Sequence, residues 1–234
     1  MAGGTVPYAT VSAYESLVGH FMDVADRSAC GFVHLAKPIP ACFRGTENGN
    51  VSFESCLCLH DWGQREQVNI LIRAQEEISR SSPPVLVKST VHVSYFSPDR
   101  DNPTHLQSMH FDYDGEQESH PVFHVQSCPE MIQPSPRDAE VLEFDIPNDV
   151  QNASCFKYAR IPTPDMTFSS VLLCLAADHM RPEFFLDFME SVRDVHARMP
   201  LPAFASLQSS IAKERGHLRS FHWYSHMWQN PEDN

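Results

Sequence analysis

Hydrophobic and polar positions alternate with period two over Val51 to His60, where Val51, Phe53, Ser55, Leu57 and Leu59 share one side. That alternation predicts a half-buried strand. Val85 to Phe96 carries the clearest strand signal, β-branched and alternating at Val91, Val93 and Tyr95. A polar loop, Ser97 to Thr104, leads to two more predicted strands, His105–Asp114 and His120–Gln126. Gln67 to Ser79 is ambiguous: Val68, Ile70, Leu71 and Ile72 suit a strand, whereas Ala74 to Ile78 suits a helix. The largely apolar run Phe168 to Ala177 has strand length and is expected as a buried strand.

Helical spacing marks the two ends of the chain. Tyr14, Leu17, Val18, Phe21, Met22, Val24 and Ala25 fall on one face, with Ser12 and Glu15 spaced as a capping box and Gly31 close behind. Phe184, Phe185, Phe188, Val192, Val195 and Met199 predict a helix over 182–199, with Asp178 read as its N-cap. A second helix is expected over roughly 203–228, with Phe204, Leu207, Ile211, Leu218 and Phe221 inward. Between Gly31 and Phe43, Pro38 and Pro40 break a short strand into an edge or a loop, and Asn48-Gly49-Asn50 is a turn. Segregated strands and helices predict an α+β fold: a mainly antiparallel sheet with an N-terminal helix and two C-terminal helices packed on it. The expected organisation is one domain, 1–234, in which the proline-rich stretch 128–167 is a long connection and 230–234 a frayed tail. A short strand is expected at Val141–Ile146.

Charge narrows the function classes. A net charge of −13 argues against general nucleic-acid binding, which needs clustered Lys and Arg. The imbalance is local: residues 1–180 hold 11 basic against 23 acidic side chains, whereas 181–231 hold 6 and 5. Seven cysteines without a CxxC pair read as buried thiols of a reducing cytosol. No basic and apolar leader is read at MAGGTVPYAT, and the longest apolar run, Val171 to Ala177, is too short for a bilayer, so a soluble cytoplasmic protein is expected.

One stretch concentrates chemistry. Met109 to Gln126 reads MHFDYDGEQESHPVFHVQ, and strand geometry puts His110, Asp112 and Asp114 on one face and His120, Val122, His124 and Gln126 on one face of the returning strand. If Asp114 pairs with His120, His110 lies opposite His124 and Asp112 opposite Val122. His110, Asp112 and His124 then offer two imidazoles and a carboxylate, a set suited to Fe, Zn or Mn with open positions. His92, on the preceding strand, has the parity to join them, and Asp114 or His120 would serve as acid/base. The H-x-D pair resembles the first half of the iron and 2-oxoglutarate oxygenase triad. The distal half is missing: His179 has Arg181 too close, and His196 meets nothing suitable before Lys213 and Arg215. The cupin pattern is absent too, so no family follows. The plainer account is a wet sheet face occupied by ordinary polar residues.

Other features carry less. His222 and His226 stand one helical turn apart, without the Glu of a zinc protease motif. Trp223, Tyr224 and Trp228 beside them suit a protein or homodimer contact made by the C-terminal helices. Cys56, Cys58 and His60 would share a strand face as a nucleophile and base without a third member. The Walker, dinucleotide and serine-hydrolase signatures are lacking. The sequence favours a non-enzymatic partner-binding or self-associating module, because each chemistry-bearing signal has a structural explanation; the alternative is a small metal-dependent enzyme built on the histidine hairpin.

Overall fold

Helix α1, Tyr8–Ser28, buries Ala13, Leu17, Val18, Phe21, Val24 and Ala25 along one side, as the spacing predicts. It begins a turn before the expected Ser12 cap. Pro7 occupies the N-cap without a side-chain bond and leaves Ser12 inside the helix; proline's fixed φ and missing N–H suit that position beside the first turn. Ala29 closes the helix in the left-handed region (φ 50°). Gly31 follows at φ 144°, where a Cβ would collide with the Trp62 ring and the His60 carbonyl, so glycine alone fits. The computed structural model describes residues 7–63, 67–81, 84–99, 101–114, 123–128, 160–162, 167–198 and 203–204.

Strands β1 (Phe32–Leu35) and β2 (Phe43–Gly45) flank a 3-10 turn at Ile39–Cys42 and both pair with β3, Val51–Trp62. Then come β4 (Val68–Ile78), β5 (Val85–Phe96), β6 (His105–Asp114), β7 (Phe123–Cys128) and β8 (Arg160–Pro162). They form an antiparallel sheet in the order β1-β3-β4-β5-β6-β7-β8. A short strand β9, Ala203–Phe204, pairs parallel with the start of β5. The ambiguous 67–79 segment is thus strand over Val68–Ile78, with no helix in it. A bulge near the end of β3 puts Asp61 at φ 53°, and Asn69 secures it by accepting from the Asp61 N–H (3.1 Å) and donating to the Ser97 carbonyl (2.9 Å).

Three expectations fail in the C-terminal part. The apolar run is not a strand but helix α2, Phe168–His179. Phe168, Val171, Leu172, Leu175 and Ala176 are its buried apolar positions, at helical spacing, and the Thr167 hydroxyl caps it by accepting from the Ser170 N–H (3.3 Å). Consequently Asp178 lies in the last turn of α2 and does not cap helix α3, Pro182–Arg198. The two C-terminal helices of the α+β fold are therefore α2 and α3. Of the helix expected over 203–228, Ala203 and Phe204 are strand, and 205–228 lie outside the described residues, as do Val141–Ile146 and the tail.

One face of the sheet carries the helices. Phe53, Leu57, Leu59, Ile70, Ile72, Val91, Val93 and Phe111 form a continuous core with α1, α2 and α3. Phe21 sits between Trp62 and Phe188, with ring centroids 5.5 and 5.2 Å away. Arg27 of α1 bonds Asp187 of α3 at 2.6 Å. The opposite face holds a smaller apolar cluster, Cys58, Leu71 and Phe96, and beside it the polar residues described next.

Candidate functional site

The sheet register aligns Cys56 with Arg73, Arg73 with His92, and His92 with His110. These four are therefore neighbours in a row across β3, β4, β5 and β6, on the face away from the helices. One step along, Thr90 pairs with Asp112. The His92 and His110 rings meet edge to face at 5.6 Å. His110 Nε2 lies 3.2 Å from Asp112 Oδ2, the side chains being 17% and 22% exposed. The Nδ1 of His92 is buried and has no hydrogen-bond partner among the described residues.

Burial sets the protonation states here. It lowers His92 to about 4, helped by His110 and by the Arg73 charge, so this imidazole is neutral and able to coordinate. The same cause lowers Arg73, with Cys56 opposing. Burial pushes the Cys56 thiol up to about 12, against the pull of Arg73. A thiol so placed is a poor nucleophile. The Cys56, Cys58, His60 alignment does share one face, with Cys58 Sγ 3.9 Å from His60 Nδ1, but that contact is long and fully buried. Cys30 and Cys42 are likewise raised by burial.

The hairpin register differs from the expected one by two residues. β7 pairs Asp112 with His124 and His110 with Gln126. The expected pairs, His110 with His124 and Asp112 with Val122, do not form. β7 starts at Phe123, beyond Pro121, whose missing N–H cannot join a ladder. A shift of two preserves parity, so position 124 stays on the side of the sheet that carries His92, His110 and Asp112. Its backbone is described, its side chain is not. The backbone of Asp114 pairs with Lys88 of β5, and His120 lies outside the described residues, as do His222, His226 and the aromatic residues near them. Among the described residues no group of three or more His, Cys, Asp and Glu side chains is arranged to hold a metal ion.

Two further polar clusters escaped the sequence reading. His105 Nε2 lies 2.7 Å from Ser108 Oγ, which lies 2.7 Å from Ser94 Oγ, and all three residues are buried. Counting by twos from Met109 puts His105 on the helix face. A bulge leaves Leu106 without a cross-strand partner, pairs His105 with Phe96 and turns it to the other side. The second cluster lies in the helix-side core. There Glu76, 2% exposed, accepts from the Tyr14 hydroxyl, from Ser89 Oγ (3.1 Å) and from the Phe168 N–H at the start of α2 (2.9 Å). A lone carboxylate among Ile70, Ile72, Ala74 and Ile78 was its only trace in sequence.

Among the described residues no helix is long and apolar enough to cross a membrane. No protein-family model, curated protein sequence or solved structure matches this chain.

Proposed function

We propose that this chain is a metal-binding protein whose centre lies on the open face of the sheet. His110 and Asp112 would be ligands, His124 a third donor from β7, and His92 an additional donor. The observation that carries the reading is the register opposing residue 124 to Asp112, beside the paired His92 and His110. The unpartnered Nδ1 of His92 supports it, because a buried ring nitrogen without a bond is costly unless something occupies it. Imidazole and carboxylate donors fit Zn, Fe or Mn. Should the centre catalyse a reaction, Asp114, at the end of β6, or His120 would act as acid/base. The free thiols of Cys30, Cys42 and Cys56 support a reducing, cytoplasmic setting.

Metal content measured on protein purified without an affinity tag tests this. About one equivalent of Zn, Fe or Mn is expected, and it should fall away in His110→Ala and His124→Ala variants that keep the wild-type circular dichroism. Wild-type protein that takes up none of these ions on reconstitution overturns the reading, as does metal retained in both variants. A second reading, a non-enzymatic module that pairs with a protein or with itself through its C-terminal part, is favoured by Leu186 and Met189. These stand 51% and 41% exposed, three residues apart on α3. Apo protein eluting at twice its monomer mass would favour that module over the metal centre.

A further inference from the structure

Helix α3 carries more apolar side chains than the core takes up. Phe184, Phe188, Val192 and Val195 pack inward. Pro182, Phe185, Leu186 and Met189 form a second stripe on the adjoining side, at i, i+3, i+4 and i+7. Pro182 is exposed, Phe185 half-buried, and Leu186 and Met189 stand 51% and 41% exposed. A single exposed apolar residue is ordinary. Two turns of them at this spacing match the anchors by which one amphipathic helix docks on another.

Acidic side chains border the stripe. Glu183 and Glu190, both exposed, stand three residues before and four after Leu186, within its reach on the helix surface. Arg181 lies 3.4 Å from Glu183, and Arg193 3.6 Å from Asp194. These pairs are exposed on both sides, and such pairs are weak enough for an incoming Lys or Arg to share the acids. A second copy would instead set Glu183 and Glu190 near acids of its own, in a chain with a net charge of −13. An anionic lipid surface would meet the same acids. The stripe is also short. Its eight residues span about 12 Å, and four partly exposed side chains fall well below the roughly 800 Å² per partner that a stable dimer buries. We propose that the outward side of α3 binds a basic amphipathic helix of another protein, with apolar side chains on Phe185, Leu186 and Met189 and Lys or Arg beside Glu183 and Glu190. This partner chemistry deepens the module reading and is independent of the metal centre.

Fluorescence anisotropy of a labelled peptide of about 14 residues, with leucines at i, i+3, i+4 and i+7 and lysines elsewhere, tests this on the full chain at about 0.15 M salt. Binding should saturate. Leu186→Ser with Met189→Ser should weaken it about tenfold or more, the scale of two half-exposed side chains losing their contact. Glu183→Gln with Glu190→Gln should weaken it about threefold to tenfold and flatten its salt dependence. All four positions are exposed, so both double variants should keep the wild-type urea midpoint. The same peptide with glutamate for lysine should bind about tenfold more weakly or worse. Wild-type affinity in either double variant overturns the proposal, because the lysines would then be held elsewhere on an acidic protein. Equal affinity for the two peptides overturns it as well. Sedimentation equilibrium of the chain alone addresses the other occupant. A dimer that the serine variants dissociate puts a second copy on the stripe, which overturns the basic partner and leaves the module reading standing. A monomer that binds neither peptide overturns the partner and removes the support that Leu186 and Met189 give the module.

Discussion

Glu76 shows how a single polar side chain can tie three elements together. Its carboxylate sits inside the apolar core and collects donors from α1 (Tyr14), β5 (Ser89) and the first N–H of α2 (Phe168). A helix N-terminus favours negative charge, so the position suits an anion that burial would otherwise penalise. The arrangement also pushes the Tyr14 hydroxyl well above its ordinary range, by burial first and then by Glu76 itself; Tyr14 is therefore always a donor. Tyr14→Phe removes that donor without changing the packing against Phe43 and Phe53. The expected loss is about 1–3 kcal/mol, the cost of leaving a buried acceptor short of a partner. Urea unfolding of the two proteins measures it, and equal midpoints would show that the bond contributes nothing.

Elements were legible wherever one face was buried and the other was not. β5 and β6 have the bounds that alternation predicts, because Val91, Val93 and Phe111 point to the helices while His92 and His110 point away. The same parity brought His92 and His110 together, so that half of the candidate site could be read from sequence. α2 was illegible for the opposite reason. Its 168–177 run is apolar nearly all round, and periodicity cannot separate a buried helix from a buried strand in such a run. The local signal was Thr167, a capping residue directly before Phe168. Thr167→Ala should cost about 1 kcal/mol by removing the bond to the Ser170 N–H. The loss should be seen as faster amide exchange in the first turn of α2 as well as a lower urea midpoint. Unaltered exchange there would mean that Glu76, which bonds the Phe168 N–H, holds this helix end by itself. Register was the other gap: parity survives a shift of two residues, so sequence placed residue 124 on the right side but opposite the wrong partner.

At the scale of the whole molecule, a buried and a half-buried histidine set the response to acid. His179 packs between Trp62 and Tyr95, at 5.7 and 5.9 Å, and burial lowers its proton affinity despite the neighbouring Asp178. His105, against Phe96 and Ser108, is lowered by burial too, with the Gln107 backbone opposing. Each therefore takes up its proton at a lower pH in the folded protein than the 6.5 at which it does so once unfolded. The unfolded state then binds more protons, so stability is full above that value and falls as the pH drops through it, levelling off only at the folded-state values. The net charge of −13 acts in the other direction, since protonating exposed histidines relieves repulsion. Salt separates the two effects: above physiological ionic strength the Debye length drops below about 8 Å and the repulsion between exposed charges is screened, while a buried ring is barely affected. In high salt the urea midpoint should decline between about pH 7.5 and 5.5, and the slope should flatten in a His105→Gln, His179→Gln double variant. A midpoint that rises toward acid in high salt, or a double variant with the wild-type slope, would show that these two rings are not what makes the fold sensitive to acid.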